Sequence, residues 1–478
     1  MFATKPLFRP LLLLPFCSVL IASAVPSKPN IVVIVADDLG YADVGFNGCT
    51  DIPTPNIDAL ARSGVRFSNG YVTHPYCSPS RAGLLSGRYQ QRFGHEANPT
   101  YLPEDTRVGL PVTETLLPRL LADAGYATGA VGKWHLGAAP CFHPNARGFT
   151  DSFGFLGGGH MYEPVTNKAT GAVADWKVEY QAPLLKNGAE QPFDGYMTDL
   201  LSREAAAFVA RHRAEPFFLY LAYNAVHTPL QAPEKYLARL SHIADPRRRT
   251  YAAMNVAMDD GIGQLLAALR ENGLEQNTQV WFFSDNGGPA TNAAPTCNAP
   301  LRGHKGSLYE GGIRVPFVLR WPAAVQPGTV VDAPVSTLDI FATSLAVADA
   351  KPAAGKTPDG LSLLPLLKGD ASAFDSRILH WRDGGSKAQK WAVRQGPWKL
   401  VRSGTLAQPG PPELYDLARD LGETQNLLAE KPEIAARLQK LHDDWNAQLI
   451  EPLFQSPKAA PKKAKNRIER GEKAVRRL

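Results

Sequence analysis

One stretch near the start of the chain limits the possible folds more than any other. Between Asn30 and Ala36 the chain reads Ile-Val-Val-Ile-Val, with no alternation of polar and apolar residues. Such a run is typical of a strand that is buried on both faces of a parallel sheet. Parallel strands need long crossover connections, which are usually helices. The chain is therefore expected to be an α/β protein.

Four more short apolar runs occur later in the chain, separated by helical patterns such as 115–124 and 254–269. The runs are 126–131, 216–221, 280–283 and 315–321. Regular alternation of strand and helix patterns indicates an α/β domain. We expect residues 25–350 to form a large mixed, mostly parallel sheet flanked by helices.

The pattern changes after about residue 351. Short strand-like segments surround Trp381 and occupy 391–401 and 413–417, and an amphipathic helical pattern begins at Pro432. Residues 351–455 are therefore expected to form a small α+β domain with an antiparallel sheet and a terminal helix.

The net charge of +6 resides in the two ends of the chain. Residues 1–24 contribute +2 and residues 456–478 contribute +7, which leaves −3 for the part between them. A slightly acidic body gives no reason to expect a nucleic-acid partner. Residues 456–478 are expected to be a disordered basic tail.

Residues 1–24 have the pattern of a cleavable signal peptide. Lys5 and Arg9 precede an apolar stretch, 11–21, and the sequence Ala-Ser-Ala at 22–24 provides the small residues of a cleavage site. The apolar stretch is too short to span a bilayer. We expect a secreted or periplasmic protein without a stable membrane anchor.

Polar residues follow directly after two of the predicted strands. Asp37 and Asp38 follow the first strand, and Asp285 and Asn286 follow the run at 280–283. Ligands of open parallel sheets bind at the carboxyl ends of the strands. Three carboxylates and one amide suit a hard cation, Ca²⁺ or Mg²⁺, better than zinc. Either pair taken alone is better explained as a helix cap or a turn.

The segment that begins at Cys77 decides between these interpretations. Residues 77–88 read Cys-Ser-Pro-Ser-Arg-Ala-Gly-Leu-Leu-Ser-Gly-Arg. They resemble the signature of the formylglycine-dependent (type I) sulfatases, Cys-x-Pro-Ser-Arg followed by Leu-Thr-Gly-Arg, with Ser86 in place of the usual Thr. A zinc half-site with His74, or a disulfide, explains neither the proline nor the arginine of this motif.

Three further segments extend the resemblance from Asn30 to about Leu427. They are 132–137 (Gly-Lys-Trp-His-Leu-Gly), 305–316, which ends in Glu-Gly-Gly-Ile-Arg-Val-Pro, and 413–427, which begins with Glu-Leu-Tyr-Asp-Leu. The resemblance implies the alkaline-phosphatase-like fold and the hydrolysis of sulfate esters. It is best for arylsulfatases and sulfatases of the N-acetylgalactosamine-6-sulfatase type.

The resemblance also implies a role for each matching residue. Cys77 is oxidised to the aldehyde formylglycine, whose hydrate attacks sulfur and then expels sulfate. One Ca²⁺, with Mg²⁺ as the alternative, is bound by Asp37, Asp38, Cys77 after its modification, Asp285 and Asn286. Among the other catalytic residues, Arg81 holds the diol, and Lys133 and Lys305 contact the sulfate oxygens. His135 acts as proton acceptor and His227 as general acid.

The implied substrate is a sulfated extracellular carbohydrate, and the implied partner is a formylglycine-generating or anaerobic sulfatase-maturating enzyme. Loop residues that could contact sugar hydroxyls are His95, His160, Arg302 and His304, although ordinary loop roles explain each of them equally well. Two other functions remain open. One is a phosphomonoesterase or phosphodiesterase of the same superfamily, and the other is a sulfated-glycan binding protein without turnover.

Four cysteines follow the signal peptide. If Cys77 is modified, three are left, which allows at most one disulfide. Cys141 follows the block that contains Lys133, and Cys297 precedes the block that contains Lys305. If both blocks line one pocket, these two cysteines lie close together. They are therefore expected to pair, which leaves Cys49 free.

Overall fold

The computed structural model describes residues 1–2, 28–164, 178–291, 294–388, 390–404, 408 and 410–455. The predicted basic tail, and the predicted signal peptide after its first two residues, lie outside this part. The strands are β1 (Asn30–Ala36), β2 (Val65–Phe67), β3 (Gly70–Tyr71), β4 (Ala127–Lys133), β5 (Asp151–Phe155), β6 (Leu184–Lys186), β7 (Ala189–Gln191), β8 (Phe217–Ala222), β9 (Thr278–Ser284), β10 (Phe317–Arg320), β11 (Thr329–Val331), β12 (Val335–Ser336), β13 (Ile378–Arg382), β14 (Lys390–Gln395), β15 (Trp398–Ser403) and β16 (Pro412–Asp416). The helices are α1 (Pro55–Arg62), α2 (Cys77–Ser86), α3 (Leu117–Asp123), α4 (Met197–Arg211), α5 (Glu234–Leu237), α6 (Pro246–Glu271), α7 (Glu310–Ile313), α8 (Leu338–Ala348), α9 (Leu364–Leu367), α10 (Ser372–Asp375) and α11 (Pro432–Asn446).

The large sheet has ten strands in the order β11-β2-β10-β9-β1-β8-β4-β5-β6-β7. Its central strands β9, β1, β8, β4 and β5 are parallel, whereas β10 and β6 join them in antiparallel fashion. Strand β1 lies in the middle, and all seven of its residues are buried. A strand covered on both faces has no polar side, which explains its uniformly apolar sequence. The predicted mixed, mostly parallel sheet is confirmed.

Helices cover both faces of this sheet. Ile31, Val33 and Val35 of β1 point into one core, and Val32 and Ile34 point into the other, as the alternation of side chains along a strand requires. Helices α2, α3 and α8 contribute to the first core, and α1, α4 and α6 contribute to the second.

Helix α6 is longer than the predicted 254–269. The side chain of Asp245 accepts hydrogen bonds from the backbone nitrogens of Arg247 and Arg248, and Pro246 occupies the first turn. This cap allows the helix to begin eight residues earlier than its apolar pattern. Among the described residues, no helix combines the length and the apolar character needed to cross a membrane.

The small C-terminal domain is an antiparallel sheet of four strands in the order β13-β14-β15-β16. On one face, Val393 and Leu400 pack against Leu438 of α11. On the other face, Ala392 and Val401 belong to the same core as the large sheet. The predicted sheet and terminal helix are confirmed, and the small domain has its own sheet but shares a core with the large one.

The contact between the two domains includes a buried charged group. Nζ of Lys399 on β15 lies 2.8 Å from Oε1 of Glu310 and 2.9 Å from Oε1 of Glu423. The Glu310 backbone nitrogen also donates to Oε2 of Glu423 at 2.6 Å. Glu310 begins α7, and this short helix supports the loop after β9, because the nitrogen of Gly287 donates to the oxygen of Gly312 at 3.1 Å. We call Lys399, Glu310 and Glu423 the interdomain clamp.

We expect Lys399→Met to lower the free energy of unfolding by about 3–5 kcal/mol, because it leaves two buried carboxylates without their shared lysine. The matched control is Lys440→Met, since Lys440 pairs with Asp444 on the exposed face of α11. Loss of that surface pair should cost less than about 0.5 kcal/mol. Thermal or denaturant unfolding of the two variants measures the difference, and equal losses would contradict a stabilising clamp.

The predicted disulfide between Cys141 and Cys297 is wrong, because both residues and Cys49 carry free thiols. Cys141 follows β4 and Cys297 follows β9, and two strands, β1 and β8, lie between these in the sheet. Because neighbouring strands are about 4.8 Å apart, the two loops leave the sheet about 14 Å from each other. A disulfide requires Cα atoms within about 7 Å.

Candidate active site

The predicted acidic residues meet where β1 and β9 end. The two strands pair in parallel register, with Ala36 beside Ser284, so the residues that follow leave the sheet together. Asp37, Asp38 and Asp285 are all buried. The backbone nitrogen of Asp285 donates to the oxygen of Ala36 at 3.0 Å, and that of Asp38 donates to Oδ1 of Asp285 at 3.3 Å. Three carboxylates from two distant parts of the sequence therefore form one cluster.

Cys77 is the first residue of α2, and its thiol lies in this cluster. Sγ is 3.5 Å from Oδ1 of Asp37 and 4.0 Å from Oδ1 of Asp38. One candidate ligand atom from each of these residues and from Asp285 lies within 4.8 Å of the others. All ten residues of α2 are buried, so the packing of a whole helix fixes the position of the thiol.

Arg81 lies one turn after Cys77 and holds two parts of the cluster together. Its Nε donates to Oδ2 of Asp285 at 2.9 Å, and its Nη2 lies 2.8 Å from the same oxygen. Its Nη1 donates to the backbone oxygen of Lys133 at 3.2 Å and to the Tyr220 hydroxyl at 3.4 Å. A buried guanidinium thus fixes Asp285 and the end of β4 relative to α2. The sequence pattern had not indicated the part played by Tyr220.

Two lysines complete the cluster. Nζ of Lys133, the last residue of β4, lies 2.6 Å from Oδ2 of Asp37. Nζ of Lys305 lies 2.7 Å from Oδ1 of Asp38 and 3.3 Å from Sγ of Cys77. The side chain of Lys133 is fully buried, whereas that of Lys305 is 15% exposed. The cluster therefore opens to solvent on the Lys305 side.

His227 also lies on the open side. Its Nδ1 is 2.6 Å from the backbone oxygen of Thr228, and since a carbonyl only accepts hydrogen bonds, Nδ1 carries a proton. Its Nε2 lies 3.7 Å from Oδ2 of Asp38 and is the nitrogen that can exchange a proton with a ligand. The Tyr162 hydroxyl lies 2.9 Å from the backbone oxygen of His227 and so supports this loop, a role that no sequence signal indicated.

His135 is held beside the cluster in a left-handed backbone conformation, with φ of 59°. Its backbone oxygen accepts a hydrogen bond from Oγ of Ser78 at 2.6 Å, and that Oγ lies 2.7 Å from Nε2 of His95. Nδ1 of His135 is buried and has no hydrogen-bond partner in the described part of the chain. Ser78 and His95 therefore position His135 from the side of α2.

The four loop residues considered for sugar contacts are mostly engaged within the fold. His95 and His160 are buried, and His160 contacts two backbone oxygens. Arg302 donates to the backbone oxygen of Glu423 in the small domain at 2.8 Å. His304 is exposed, next to Lys305. Of the four, His304 is the residue whose position suits contact with a ligand at the open side.

Burial and neighbouring charges set the ionisation of the carboxylates. Burial raises the pKa of Asp37, but Lys133, His227, Arg81 and Lys305 together hold it well below its ordinary value. Burial, and then the negative charge of Asp37, raise the pKa of Asp285. A cation bound among these groups would favour the charged form of both carboxylates.

The donor set fits a hard divalent cation. Nδ2 of Asn286 donates to Oδ1 of Asp38 at 2.8 Å, while Oδ1 of Asn286 is buried and has no hydrogen-bond partner among the described residues. An unpaired amide oxygen beside three carboxylates provides the oxygen ligands that Ca²⁺ and Mg²⁺ prefer. Within the described part of the chain, one group of at least three His, Cys, Asp or Glu side chains has metal-binding geometry, and it contains Asp37, Asp38, Cys77 and Asp285.

Comparisons with known proteins agree with the motif. The sulfatase family model matches residues 29–350, and the model for the C-terminal region of N-sulphoglucosamine sulphohydrolase matches residues 304–449. N-acetylgalactosamine-6-sulfatase of Mus musculus is 35% identical over 446 residues, which cover 84% of this chain and 83% of the mouse protein. Arylsulfatase A of Homo sapiens is 34% identical over 465 residues, which cover 87% and 88% of the two chains.

A solved structure also resembles this chain over most of its length. The crystal structure of Ps i-CgsB in complex with k-i-k-neocarrahexaose superposes with a TM-score of 0.83 and 39% sequence identity, over 90% of this chain and 95% of that chain. The alkaline-phosphatase-like fold implied by the sequence motifs is confirmed, including the separate antiparallel sheet. The family model covers more than half of the chain. The chain therefore belongs to the sulfatase family and is a hydrolase of sulfuric esters.

Proposed function

We propose that this sulfatase removes sulfate from carbohydrate esters by means of a formylglycine at position 77 and one bound Ca²⁺, with Mg²⁺ as the alternative ion. The position of Cys77 is the observation that carries the proposal. Its Sγ lies 3.5 Å from Oδ1 of Asp37 and 3.3 Å from Nζ of Lys305. A nucleophile at this point lies between the carboxylates that would hold a metal and a cation that would bind sulfate.

The chemistry needs groups that ordinary side chains do not supply. A formylglycine hydrate at residue 77 would supply a nucleophilic hydroxyl and a second hydroxyl whose loss of a proton would regenerate the aldehyde and free the sulfate. A bound divalent cation provides Lewis-acid polarisation and neutralises negative charge. The residues that would hold the ion are Asp37, Asp38, Asp285, Asn286 and the hydrated residue 77.

The two lysines are proposed to bind the sulfate group. Lys133 and Lys305 neutralise Asp37 and Asp38 in the described structure. If those carboxylates held an ion, both ammonium groups would be available for the anionic oxygens of the substrate. Because Lys305 is the more exposed of the two, we propose that the sulfate group enters from its side.

Two histidines are proposed to move protons. The Nδ1 of His227 is committed to Thr228, which leaves Nε2 directed toward the site, where its protonated form can donate to the leaving oxygen as the S–O bond breaks. His135, whose Nδ1 has no partner among the residues that the structure describes, is proposed to accept the proton when sulfate is released from residue 77. Arg81 keeps Asp285 and the start of α2 in place throughout both steps.

A sulfated carbohydrate is the proposed substrate class. Ps i-CgsB, which is 39% identical to this chain, was crystallised with k-i-k-neocarrahexaose, and N-acetylgalactosamine-6-sulfatases are among the relatives. The signal peptide predicted at residues 1–24 supports a secreted or periplasmic location. Conversion of Cys77 implies a formylglycine-generating or anaerobic sulfatase-maturating enzyme as a partner.

The activity can be tested with two esters of the same alcohol. Purified protein is incubated with p-nitrophenyl sulfate and with p-nitrophenyl phosphate, each with and without EDTA. We expect rapid cleavage of the sulfate ester, slow cleavage of the phosphate ester, and loss of activity with EDTA that added Ca²⁺ restores. Preference for the phosphate ester would identify a phosphatase. Binding of sulfated polysaccharide without cleavage of either ester would identify a binding protein.

A further inference from the structure

A pocket of about 440 Å³ lies beside Tyr76, the residue that precedes the nucleophile, and none of the steps above uses it. Its walls come from the loop 96–98, from Asp383 and Gly384 of the small domain, and from Pro452, Phe454 and Gln455 near the end of the described chain. We propose that this pocket binds an unsulfated sugar residue that is linked to the sugar whose sulfate is removed. This inference rests on the proposed function, which it extends from the sulfate group to its neighbour in the carbohydrate.

The pocket adjoins the reaction centre. The Tyr76 hydroxyl lies against the Lys305 loop, since a Cβ placed on Gly306 would be 2.6 Å from that oxygen. On the other side of Cys77, the backbone nitrogen of Ser78 donates to Oδ1 of Asn98 at 3.0 Å. Tyr76 and Asn98 both line the pocket. A sugar bound there is therefore close enough to be linked to a sugar that presents its sulfate to Lys305.

Two aromatic rings give the pocket a surface for a sugar ring. Tyr76 and Phe454 are each partly exposed. The segment that carries Phe454 packs on the catalytic domain. The backbone nitrogen of Leu453 donates to the backbone oxygen of Gly94 at 2.9 Å, and the ring centroids of Phe454 and His95 lie 5.0 Å apart in an edge-to-face arrangement. A volume of this size with aromatic walls and a few polar groups is typical of a small-ligand site.

The charges at the pocket favour hydroxyl groups over a second sulfate. None of the described residues that line it is a lysine or an arginine, and its acidic residues are Glu96, which is buried, and Asp383, which is partly exposed. Both acidic residues have a cationic partner: Nζ of Lys390 lies 2.6 Å from Oδ2 of Asp383 and 5.4 Å from the centroid of the Tyr76 ring, and Arg382 is paired with Glu96. A sulfated neighbour would place its charge beside the Asp383 carboxylate, whose partner Lys390 is already paired. A sugar with free hydroxyls can donate to that carboxylate instead.

Matched substrates test the inference. Galactose sulfate and N-acetylgalactosamine sulfate are each assayed in three forms. The first is the monosaccharide, and the second is a disaccharide in which an unsulfated galactose is linked on one side or the other. In the third form, the linked galactose itself carries a sulfate. Assays with p-nitrophenyl sulfate run in parallel. We expect kcat/KM to be about tenfold or more higher with an unsulfated neighbour than for the monosaccharide, and we expect no gain with a sulfated neighbour.

Two variants locate the effect in the pocket. Phe454→Ala and Asp383→Asn should each remove most of the gain. The gain is measured as the ratio of kcat/KM for the disaccharide to kcat/KM for p-nitrophenyl sulfate. Differences in the amount of folded or modified enzyme cancel in this ratio. Val330→Ala is the control, since Val330 is exposed on β11 at one edge of the large sheet, and it should keep the wild-type ratio.

Three results would overturn the inference: no gain in the wild type, a gain that survives both variants, or an equal gain with a sulfated neighbour. In each of these cases cleavage of p-nitrophenyl sulfate would leave the proposed sulfatase mechanism intact. Failure to cleave any sulfate ester, including p-nitrophenyl sulfate, would contradict the proposed function itself.

Discussion

Cys77→Ala is expected to abolish sulfate release, with kcat lower by on the order of 10⁶-fold, the scale seen when a covalent nucleophile is removed. The side chain at this position contacts Asp37, Asp38 and Lys305, and under the proposed mechanism the other described residues of the cluster would still bind the metal and the sulfate. The variant should therefore bind substrate without cleaving it. Release of p-nitrophenol from its sulfate ester, measured on preparations with equal metal content, gives the effect.

Cys141→Ala is the matched control, because it removes a free and partly exposed thiol outside the cluster, and it should keep wild-type activity. Cys77→Ser should also be inactive or stop after one turnover, since a serine has no second hydroxyl with which to release sulfate. Mass analysis of the peptide that contains residue 77 should show an aldehyde or its hydrate in the active enzyme. Full turnover by a protein with an unmodified thiol would rule out the mechanism.

Asp285→Asn is expected to stop turnover and to weaken Ca²⁺ binding by about 100-fold or more, because even the loss of a residue outside the ligand set costs 10–100-fold. The substitution removes a negative charge from the cluster, and it also takes the charged partner from Arg81, whose Nη2 lies 2.8 Å from Oδ2 of Asp285. Calorimetric titration of metal-free protein with CaCl₂, and then with MgCl₂, measures the affinity and shows which ion is preferred.

Asp339→Asn provides the control for this experiment. Asp339 is another buried carboxylate paired with an arginine, Arg377, at 2.5 Å, but it lies on α8, away from the cluster. It should lower the stability of the protein and leave the affinity for Ca²⁺ unchanged. If Asp285→Asn binds Ca²⁺ as tightly as the wild type, the metal site is elsewhere; if both variants lose affinity equally, the loss reflects folding.

The acidic part of the site was predictable because it follows from one rule of sheet geometry. The runs that end at Asp37 and at Asp285 read as buried parallel strands, and residues after parallel strands leave the sheet at the same edge. The pairing of β1 with β9 is what makes those residues neighbours, and a 3.3 Å hydrogen bond from Asp38 to Asp285 is its direct result. Local sequence and fold class together were sufficient for this step.

The loop residues were not predictable in the same way. Lys305 reaches the cluster through a loop whose path depends on contacts such as that from the nitrogen of Gly306 to the oxygen of Pro75 at 2.9 Å, and no local periodicity encodes such contacts. Only the resemblance to a family motif indicated Lys305 and His227, and Tyr162 belongs to no such motif.

The short strands of the large sheet were also not predictable. Strands β6, β7 and β11 have three residues each, which is too few to show an alternating or apolar pattern.

The burial of α2 has a consequence for how an active molecule is made. Cys77 is 1% exposed, and every residue of its helix is covered, so an enzyme that oxidises the thiol cannot reach it in the folded protein. Under the proposed mechanism, oxidation has to take place during synthesis or export, before α2 packs into the core of the protein. Folding and oxidation then compete for the same nascent chain. A host in which folding is faster than oxidation would accumulate stable protein that never gains activity. The expression level alone is therefore a poor guide to the yield of active enzyme.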